Sequence, residues 1–186
     1  MSDFPTLETG RLHLRELTLA DSDAVLAIHA DPDAMRWFGT DPMPDQAAAE
    51  KLIEQFAALR REPNPGIRWG IVRQADDTLI GNCGLFRWNP TWHTCMVGYI
   101  LAREAWGQGY MREALNAALD WGFANLQVQR VDAQTHPDNS PSIRLLENAG
   151  FVREGRLRQA GFWHGQRHDL LHFGLLREEH SESRRH

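Results

Sequence analysis

The chain has 186 residues, of which 42% are hydrophobic and 24% charged, and its net charge is −5. This length and composition are typical of one globular domain, and the acidic balance disfavours a nucleic-acid-binding protein because no broad basic face is available for phosphates. No apolar run reaches the length of a membrane span and no apolar leader opens the chain, so the sequence predicts a cytoplasmic protein without a membrane partner.

The basic residues and cysteines exclude further classes of chemistry. Lys51 is the only lysine among 20 basic residues, so no lysine stands beside glycines as a Walker-type phosphate loop requires. Cys83 and Cys95 lie in apolar, strand-like segments without a second pair of zinc ligands. We therefore predict buried reduced thiols and no metal.

The first half of the chain alternates short strands and helices. Hydrophobic periodicity and capping residues give its elements. They are, in order, a strand at 11–17, one or two short helices over 18–38 with a break at Pro32, an amphipathic helix at 45–62 ended by PNPG, a hairpin of 67–73 and 78–88, and an apolar central strand at 95–101.

The second half predicts a long helix after residue 109, a strand at 130–135, a second helix capped by Asn139, and two closing strands. One domain at 1–178 is expected, followed by a disordered polar tail at 179–186. The predicted fold class is α/β of the α+β kind: a single domain with a mixed, mostly antiparallel twisted sheet of about seven strands and helices on both faces.

The segment AWGQGYMREA predicts an anion site between the central strand and the long helix. Gly107 and Gly109 let a ligand approach the backbone, and the unpaired N–H groups of the first helical turn favour phosphate or pyrophosphate. A dinucleotide-binding fingerprint is the competing interpretation, but it needs a third glycine where this chain has Arg112.

The sequence resembles the GNAT superfamily of acetyl-CoA-dependent N-acetyltransferases over about residues 6–178. The resemblance rests on GYILAREAWGQGYMREAL, then NSPSIRLLENAGF, then REGRLRQ, in this order and spacing. The opening TLETGRLHLREL and the late GQRHD are similar to the RimJ/RimL-type branch, whose members acetylate protein N-termini.

The resemblance implies acetyl-CoA as co-substrate. It places the pyrophosphate loop on Trp106, Gly107, Gln108, Gly109, Tyr110 and Met111, and main-chain contacts to the acetyl and pantetheine groups on Tyr99, Ile100 and Leu101. Asn139 would bind the pantetheine arm and Ser142 would protonate the leaving sulfur. Both residues are also suited to capping their helix, and Met111 also lies on the apolar helix face.

The general base is left open by the sequence. Many members of the superfamily carry a glutamate on the central strand where this chain has Met96. The RimJ/RimL-like branch implies Glu154, acting through water, provided that burial raises its pKa; a surface glutamate is the alternative. His136, at the end of a strand, is the rival base.

The function predicted is acetyl transfer to a primary amine, foremost a protein or peptide N-terminus, by a monomer or homodimer. A small-molecule amine acceptor, a non-catalytic CoA-binding sensor and a nicotinamide-dependent oxidoreductase remain as alternatives. Six aromatic residues flank the expected amine entrance and line either an acceptor pocket or the core: Trp37, Phe38, Trp88, Trp92, Phe162 and Trp163.

Overall fold

The computed structural model describes residues 4–61 and 65–183. Its strands are β1 (Leu7–Glu8), β2 (Leu12–Arg15), β3 (Ile67–Arg73), β4 (Thr78–Asn89), β5 (Thr94–Leu101), β6 (Arg130–Thr135), β7 (Val152–Trp163) and β8 (Gln166–Leu176). Its α-helices are α1 (Ser22–Ala30), α2 (Pro32–Met35), α3 (Gln46–Ala58), α4 (Tyr110–Asn125), α5 (Ser140–Asn148) and α6 (Arg177–Ser183).

The strands form one sheet in the order β1-β2-β3-β4-β5-β6-β8-β7. Every neighbouring pair is antiparallel except β5 and β6, which run parallel. The mixed, mostly antiparallel sheet predicted from the sequence is thereby confirmed. It has eight strands rather than about seven because the short β1 pairs with β2, with Leu7 opposite Leu14.

Helices cover both faces of the sheet, as predicted. Alternate residues of the strands point to one face, where they pack with α4 and α5 around buried Leu115, Leu119 and Leu146. The other face is covered by the early helices, where Ile100 of β5 packs with Ile28 and Met35. The two faces therefore present different helices to the centre of the sheet.

Helix α3 begins with a side-chain cap, because the Oδ1 atom of Asp45 accepts the N–H of Ala48 at 2.9 Å. The helix was predicted over 45–62; it ends at Ala58 and continues as a 3₁₀ turn over Leu59–Arg61. Glu62 and the first two residues of the PNPG stop signal lie outside the described residues.

The prediction of a disordered tail at 179–186 is wrong for 179–183, which belong to α6. The helix is attached to the domain by contacts with residues distant in sequence. Arg177 donates two hydrogen bonds to the carbonyl of Val128, and the His180 ring stacks on Phe123 at 4.8 Å. Residues 184–186 of the predicted tail lie outside the described residues.

Candidate functional site

The sheet opens between its two parallel strands. Strands β5 and β6 pair only from Thr94 opposite Arg130 to Met96 opposite Asp132, and beyond these residues they separate. Residues 97–101 therefore have a partner strand on the β4 side alone. The resulting cleft is bordered by the three β5 positions predicted to bind acetyl and pantetheine groups, Tyr99, Ile100 and Leu101.

The turn after β5 has the conformation that its glycines predict. Gly107 and Gly109 adopt φ angles of +73° and +81°, and Gly109 is the N-cap of α4. Nothing lies within 4 Å of where a Cβ on Gly107 would be. Within the described part of the chain, the main-chain N–H groups of 107–111 have no hydrogen-bond acceptor. The turn therefore offers a row of donors at the positive end of a 16-residue helix.

Side chains of the predicted loop stabilise the turn itself. The Trp106 indole N–H donates to the carbonyl of Leu101 at 2.8 Å, and the Gln108 amide donates to the carbonyl of Glu104 at 2.9 Å. Tyr110 and Met111 are half-buried against the core. The backbone, rather than these side chains, is left to contact an anion.

Arg11, near the start of the chain, stabilises the turn at 106–111. Sequence reasoning missed this role. Its guanidinium donates to the carbonyl of Gln108 at 3.0 Å and pairs with Glu113 of α4 at 2.7 Å. It also stacks over the Tyr110 ring at 4.5 Å. The motif carried a signal for Glu113, but its partner lies 102 residues away and no local pattern predicts the pair.

A hydrogen bond crosses the cleft from β5 to α5. The Tyr99 hydroxyl and Ser142 Oγ lie 2.8 Å apart, and burial raises the pKa of Tyr99. Asn139 serves as the cap of α5, because its Oδ1 atom accepts the N–H of Ser142 at 3.2 Å. The structure thus brings Ser142 together with the cleft and adds a tyrosine hydroxyl that sequence reasoning had not paired with it.

One buried polar atom near the cleft lacks a partner. Thr135 ends β6 on the stretch that no longer pairs with β5, and its buried hydroxyl makes no hydrogen bond within the described residues. A buried hydroxyl without a partner costs stability unless a ligand or water satisfies it. Together with the free N–H groups before α4, Thr135 fits an extended ligand that has an anion at one end and amide groups along its length.

Glu154 does not have the raised pKa that its predicted role as base requires. Its side chain is 40% exposed and Arg130 donates two hydrogen bonds to it. The hydrogen bonds from Arg130 lower the pKa of Glu154. The carboxylate lies over Gly174, which pairs with Asp132 across β6 and β8. It is therefore two strand spacings, or about 10 Å, from β5.

Three residues able to ligate a metal lie around Arg130. Ligand atoms of Asp132, Glu154 and His172 lie within 4.8 Å of one another. Arg130 pairs with both carboxylates, so its single positive charge offsets one of their two negative charges. The sequence-based expectation of no metal stays a prediction at this position.

His136 directly follows β6, in an aromatic cluster of Trp37, His136, Trp163 and His168. Its ring stacks on Trp37 at 4.0 Å, and burial lowers its pKa. Its Nδ1 atom accepts the N–H of Asp138 at 3.1 Å. The proton of the neutral ring then resides on Nε2, which leaves no lone pair for a general base.

The six aromatic residues near the expected entrance separate into three groups. Trp37 and Trp163 belong to the aromatic cluster, and Phe38 packs edge-on against His29. Trp88 packs against the core, whereas Trp92 and Phe162 are 75% and 64% exposed. Contact of these residues with an acceptor stays a prediction.

The expectation of buried thiols holds for both cysteines. Cys83 and Cys95 are free and buried, and burial raises the pKa of each thiol to about 12, so neither forms a thiolate nucleophile at neutral pH. Across residues 4–61 and 65–183, no helix is long and apolar enough to span a membrane.

Comparison with known proteins identifies the family of this site. Residues 11–152 match the family described as Acetyltransferase (GNAT) domain. The N-acetyltransferase YoaA of Bacillus subtilis is 34% identical over 174 residues, covering 94% of this chain and 98% of that protein.

Two solved structures share the fold. Spermidine N-acetyltransferase from Vibrio cholerae, in complex with CoA and spermine, superposes with a TM-score of 0.81 at 24% identity, covering 93% of this chain and 99% of that one. RimL, a ribosomal L7/L12 alpha-N-protein acetyltransferase, superposes with a TM-score of 0.82 at 19% identity, covering 92% of this chain and 94% of that one.

Proposed function

The chain belongs to the GNAT family of acetyltransferases, and from that premise we propose that it transfers the acetyl group of acetyl-CoA to the α-amino group of a protein or peptide. The observation that carries the proposal is the cleft between β5 and β6, flanked by the free N–H groups before α4. The family match gives no support to the alternative that the chain is a nicotinamide-dependent oxidoreductase.

In this proposal the turn at 106–111 binds the pyrophosphate of acetyl-CoA. The donors are main-chain N–H groups, so their positions are fixed by the backbone and no side chain has to be reordered. Arg11 adds a positive charge beside Gly109 and holds the turn through its pair with Glu113. Tyr99 and Leu101 bind the acetyl and pantetheine oxygens through main-chain N–H groups, whereas the N–H of Ile100 faces β4. Asn139 and Thr135 contact the pantetheine arm.

We assign the proton for the departing sulfur to the pair of Ser142 and Tyr99. The amine nitrogen forms a bond with the thioester carbon and releases one proton to solvent, and the carbon–sulfur bond breaks. The sulfur takes up the proton of Ser142, which solvent replaces through the hydrogen bond with Tyr99. Because the two hydroxyls lie 2.8 Å apart, Ser142 can donate to sulfur while Tyr99 donates to Ser142. Tyr99 stays protonated at any working pH since its pKa is raised.

Deprotonation of the amine needs no dedicated base in this proposal. An α-amino group with a pKa near ~8 is about one-tenth neutral at pH 7, which costs only about tenfold in rate. Glu154 has a lowered pKa and His136 has its Nδ1 lone pair occupied. Positioning of the two substrates therefore supplies most of the rate acceleration.

Acetyl transfer to a panel of amines tests the proposal, with the product detected by mass. The panel holds peptides with free N-termini, the same peptides with a blocked N-terminus and one lysine, spermidine, and an amino sugar. We expect turnover on free N-termini, and a fall in kcat of about a hundredfold for Ser142→Ala. Turnover on spermidine or the amino sugar alone would replace the proposal with a small-molecule acceptor. Binding of acetyl-CoA without turnover on any amine would instead favour a sensor.

A further inference from the structure

Arg68 is a buried cation without a counter-ion. It lies on β3 with 8% of its surface exposed, and no carboxylate of the described residues is within salt-bridge distance. Its Nε donates to Asn82 Oδ1 at 2.8 Å, and its guanidinium stacks over the Phe56 ring at 5.0 Å. Burial lowers the pKa of Arg68 to about 10, so it is still charged at pH 7. A buried charge of this kind is costly unless an anion pairs with it.

The unused end of the guanidinium lies over the strand that borders the cleft. Nη1 is 3.3 Å from where a Cβ on Gly98 would be, and Gly98 belongs to the part of β5 that has separated from β6. Gly98 points to the sheet face opposite to Tyr99, because successive residues alternate. The Tyr99–Ser142 bond occupies the α4 and α5 side, so Arg68 lies on the side left for the acceptor.

Asn82 and His29 hold the guanidinium in one orientation. Asn82 Nδ2 lies 3.2 Å from His29 Nε2, and both residues are 2% exposed. Since Asn82 Oδ1 accepts from Arg68, its amide group must donate to His29. His29 also lines a cavity of about 480 Å³ between α1 and α3, together with Phe38, Asp41 and Lys51. The hydrogen-bonded network of Arg68, Asn82 and His29 therefore reaches this cavity through His29.

We propose that Arg68, held by Asn82, binds a carboxylate of the acceptor, so that the preferred substrates are amines carrying a carboxylate near the reacting nitrogen. Nε is used by Asn82, which leaves Nη1 and Nη2 to face the planar carboxylate side by side. The same fixed cation disfavours polyamines. This inference rests on the proposed acetyl transfer and narrows its acceptor class.

Pairs of acceptors that differ only in a carboxylate test this preference, with the acetylated product detected by mass. Ser-Asp-Ala-Ala amide is compared with Ser-Asn-Ala-Ala amide, and serine with serinamide, so that the arms separate a side-chain carboxylate from an α-carboxylate. Spermidine is the cationic acceptor. We expect kcat/KM to favour the carboxylate in at least one arm by about tenfold or more, with spermidine the poorest. Equal rates within both pairs would overturn the proposal.

Two variants separate a binding role from a structural one. Arg68→Met should reduce the carboxylate preference to about threefold or less. Its Tm should change little, because removal of an unpaired buried charge is offset by the loss of the donor to Asn82 Oδ1. Arg15→Met is the control: Arg15 pairs with buried Asp21 at 2.7 Å, so Tm should fall while the preference stays. An Arg68→Met protein that keeps the preference would contradict the assignment.

If no acceptor is acetylated, a binding measurement still tests whether Arg68 binds a carboxylate. The CoA-bound protein is titrated by calorimetry with N-acetylated Ser-Asp-Ala-Ala amide and with its Asn counterpart. Tighter binding of the Asp peptide, lost in Arg68→Met, would support the carboxylate site while the proposed transfer fails. Equal or undetectable binding of both peptides would reject the site as well.

Discussion

At the scale of single residues, Gly107 is where backbone conformation and ligand binding meet. Its φ of +73° is in the left-handed region, and the space around its Cα is open. A side chain there would strain the backbone and point into the volume assigned to pyrophosphate, without colliding with the protein. Substitution at this position therefore separates loss of ligand binding from loss of packing.

Replacing Gly107 with alanine is expected to raise the KM for acetyl-CoA about tenfold, with little change in kcat, because the acetyl end of the site is untouched. Tm should fall by about 3–6 °C from the left-handed strain. Steady-state kinetics and calorimetry measure both. Gly155→Ala is the matched control, since Gly155 lies on exposed β7 with open space around it and an ordinary φ. Unchanged acetyl-CoA binding in Gly107→Ala would place the pyrophosphate elsewhere.

Glu154, unlike Ser142, is expected to take no part in proton transfer. Glu154→Gln should change kcat/KM by about threefold or less and leave its pH profile unmoved, because the carboxylate is held by Arg130 two strands from β5. The measurement is kcat/KM from pH 5 to 9 for wild type and variant. A loss of tenfold or more, recovered at high pH, would restore Glu154 as the base that the family resemblance implied.

At the scale of elements, local patterns predicted whatever depends on neighbours in sequence. Helix α4 follows from its apolar periodicity, and α5 from its cap at Asn139. Helix α6 was missed because its contacts are with Val128 and Phe123, about 50 residues away. The pairing of Glu154 with Arg130 depends on the register of β6, β8 and β7, which no local pattern encodes.

The candidate site likewise has parts that the local sequence predicts and parts that depend on the fold. The anion-binding turn is one continuous segment, so its glycines and free N–H groups could be predicted from sequence. The buried network of Arg68, Asn82 and His29 comes from three elements, each with an unremarkable local sequence. Asn139 and Ser142 were found through the family resemblance, whereas the partner hydroxyl of Tyr99 required the fold.

The tip of the β7–β8 hairpin is attached to the segment between α2 and α3. The Trp163 indole donates to the carbonyl of Arg36 at 3.2 Å, and the N–H of His164 donates to Asp41 at 2.6 Å. Both sides of this contact flank the aromatic cluster around His136. The contact thus joins two segments that border the acceptor side.

Asp41→Ala is expected to loosen this attachment. The KM for the acceptor should rise about three- to tenfold, because one hydrogen bond to a charged group is lost, while the KM for acetyl-CoA stays constant. Hydrogen exchange should become faster at 162–166 and remain unchanged at 67–73. Asp76→Ala, in the exposed turn after β3, is the control. Equal exchange at the hairpin in wild type and Asp41→Ala would show that the contact contributes nothing.

At the scale of the whole molecule, the sheet separates two chemical environments. The face covered by α4 and α5 presents main-chain donors and the hydroxyls of Tyr99 and Ser142. The face covered by α1–α3 carries a buried cation and a neutral histidine. The cleft between β5 and β6 is where the two environments meet, so one substrate can be bound by backbone geometry and the other by charge.

This arrangement makes stability depend on pH through His29. Burial, with the charge of Arg68 second, lowers the pKa of His29 from 6.5 to about 4. Between these two values the unfolded chain binds a proton that the folded protein excludes, so stability is complete above pH 6.5 and falls as the pH drops toward 4. The loss from this residue is on the order of 3 kcal/mol.

His29→Gln should remove most of that pH dependence, because glutamine can still accept from Asn82 but does not titrate. Urea unfolding at intervals from pH 7.5 to 4 gives the free energy of unfolding for both proteins. The difference between the curves isolates His29 from other groups, such as His136, whose lowered pKa acts in the same direction. A His29→Gln curve parallel to that of wild type would mean that His29 has the same pKa in the folded and unfolded states, which would contradict a buried neutral ring that accepts from Asn82.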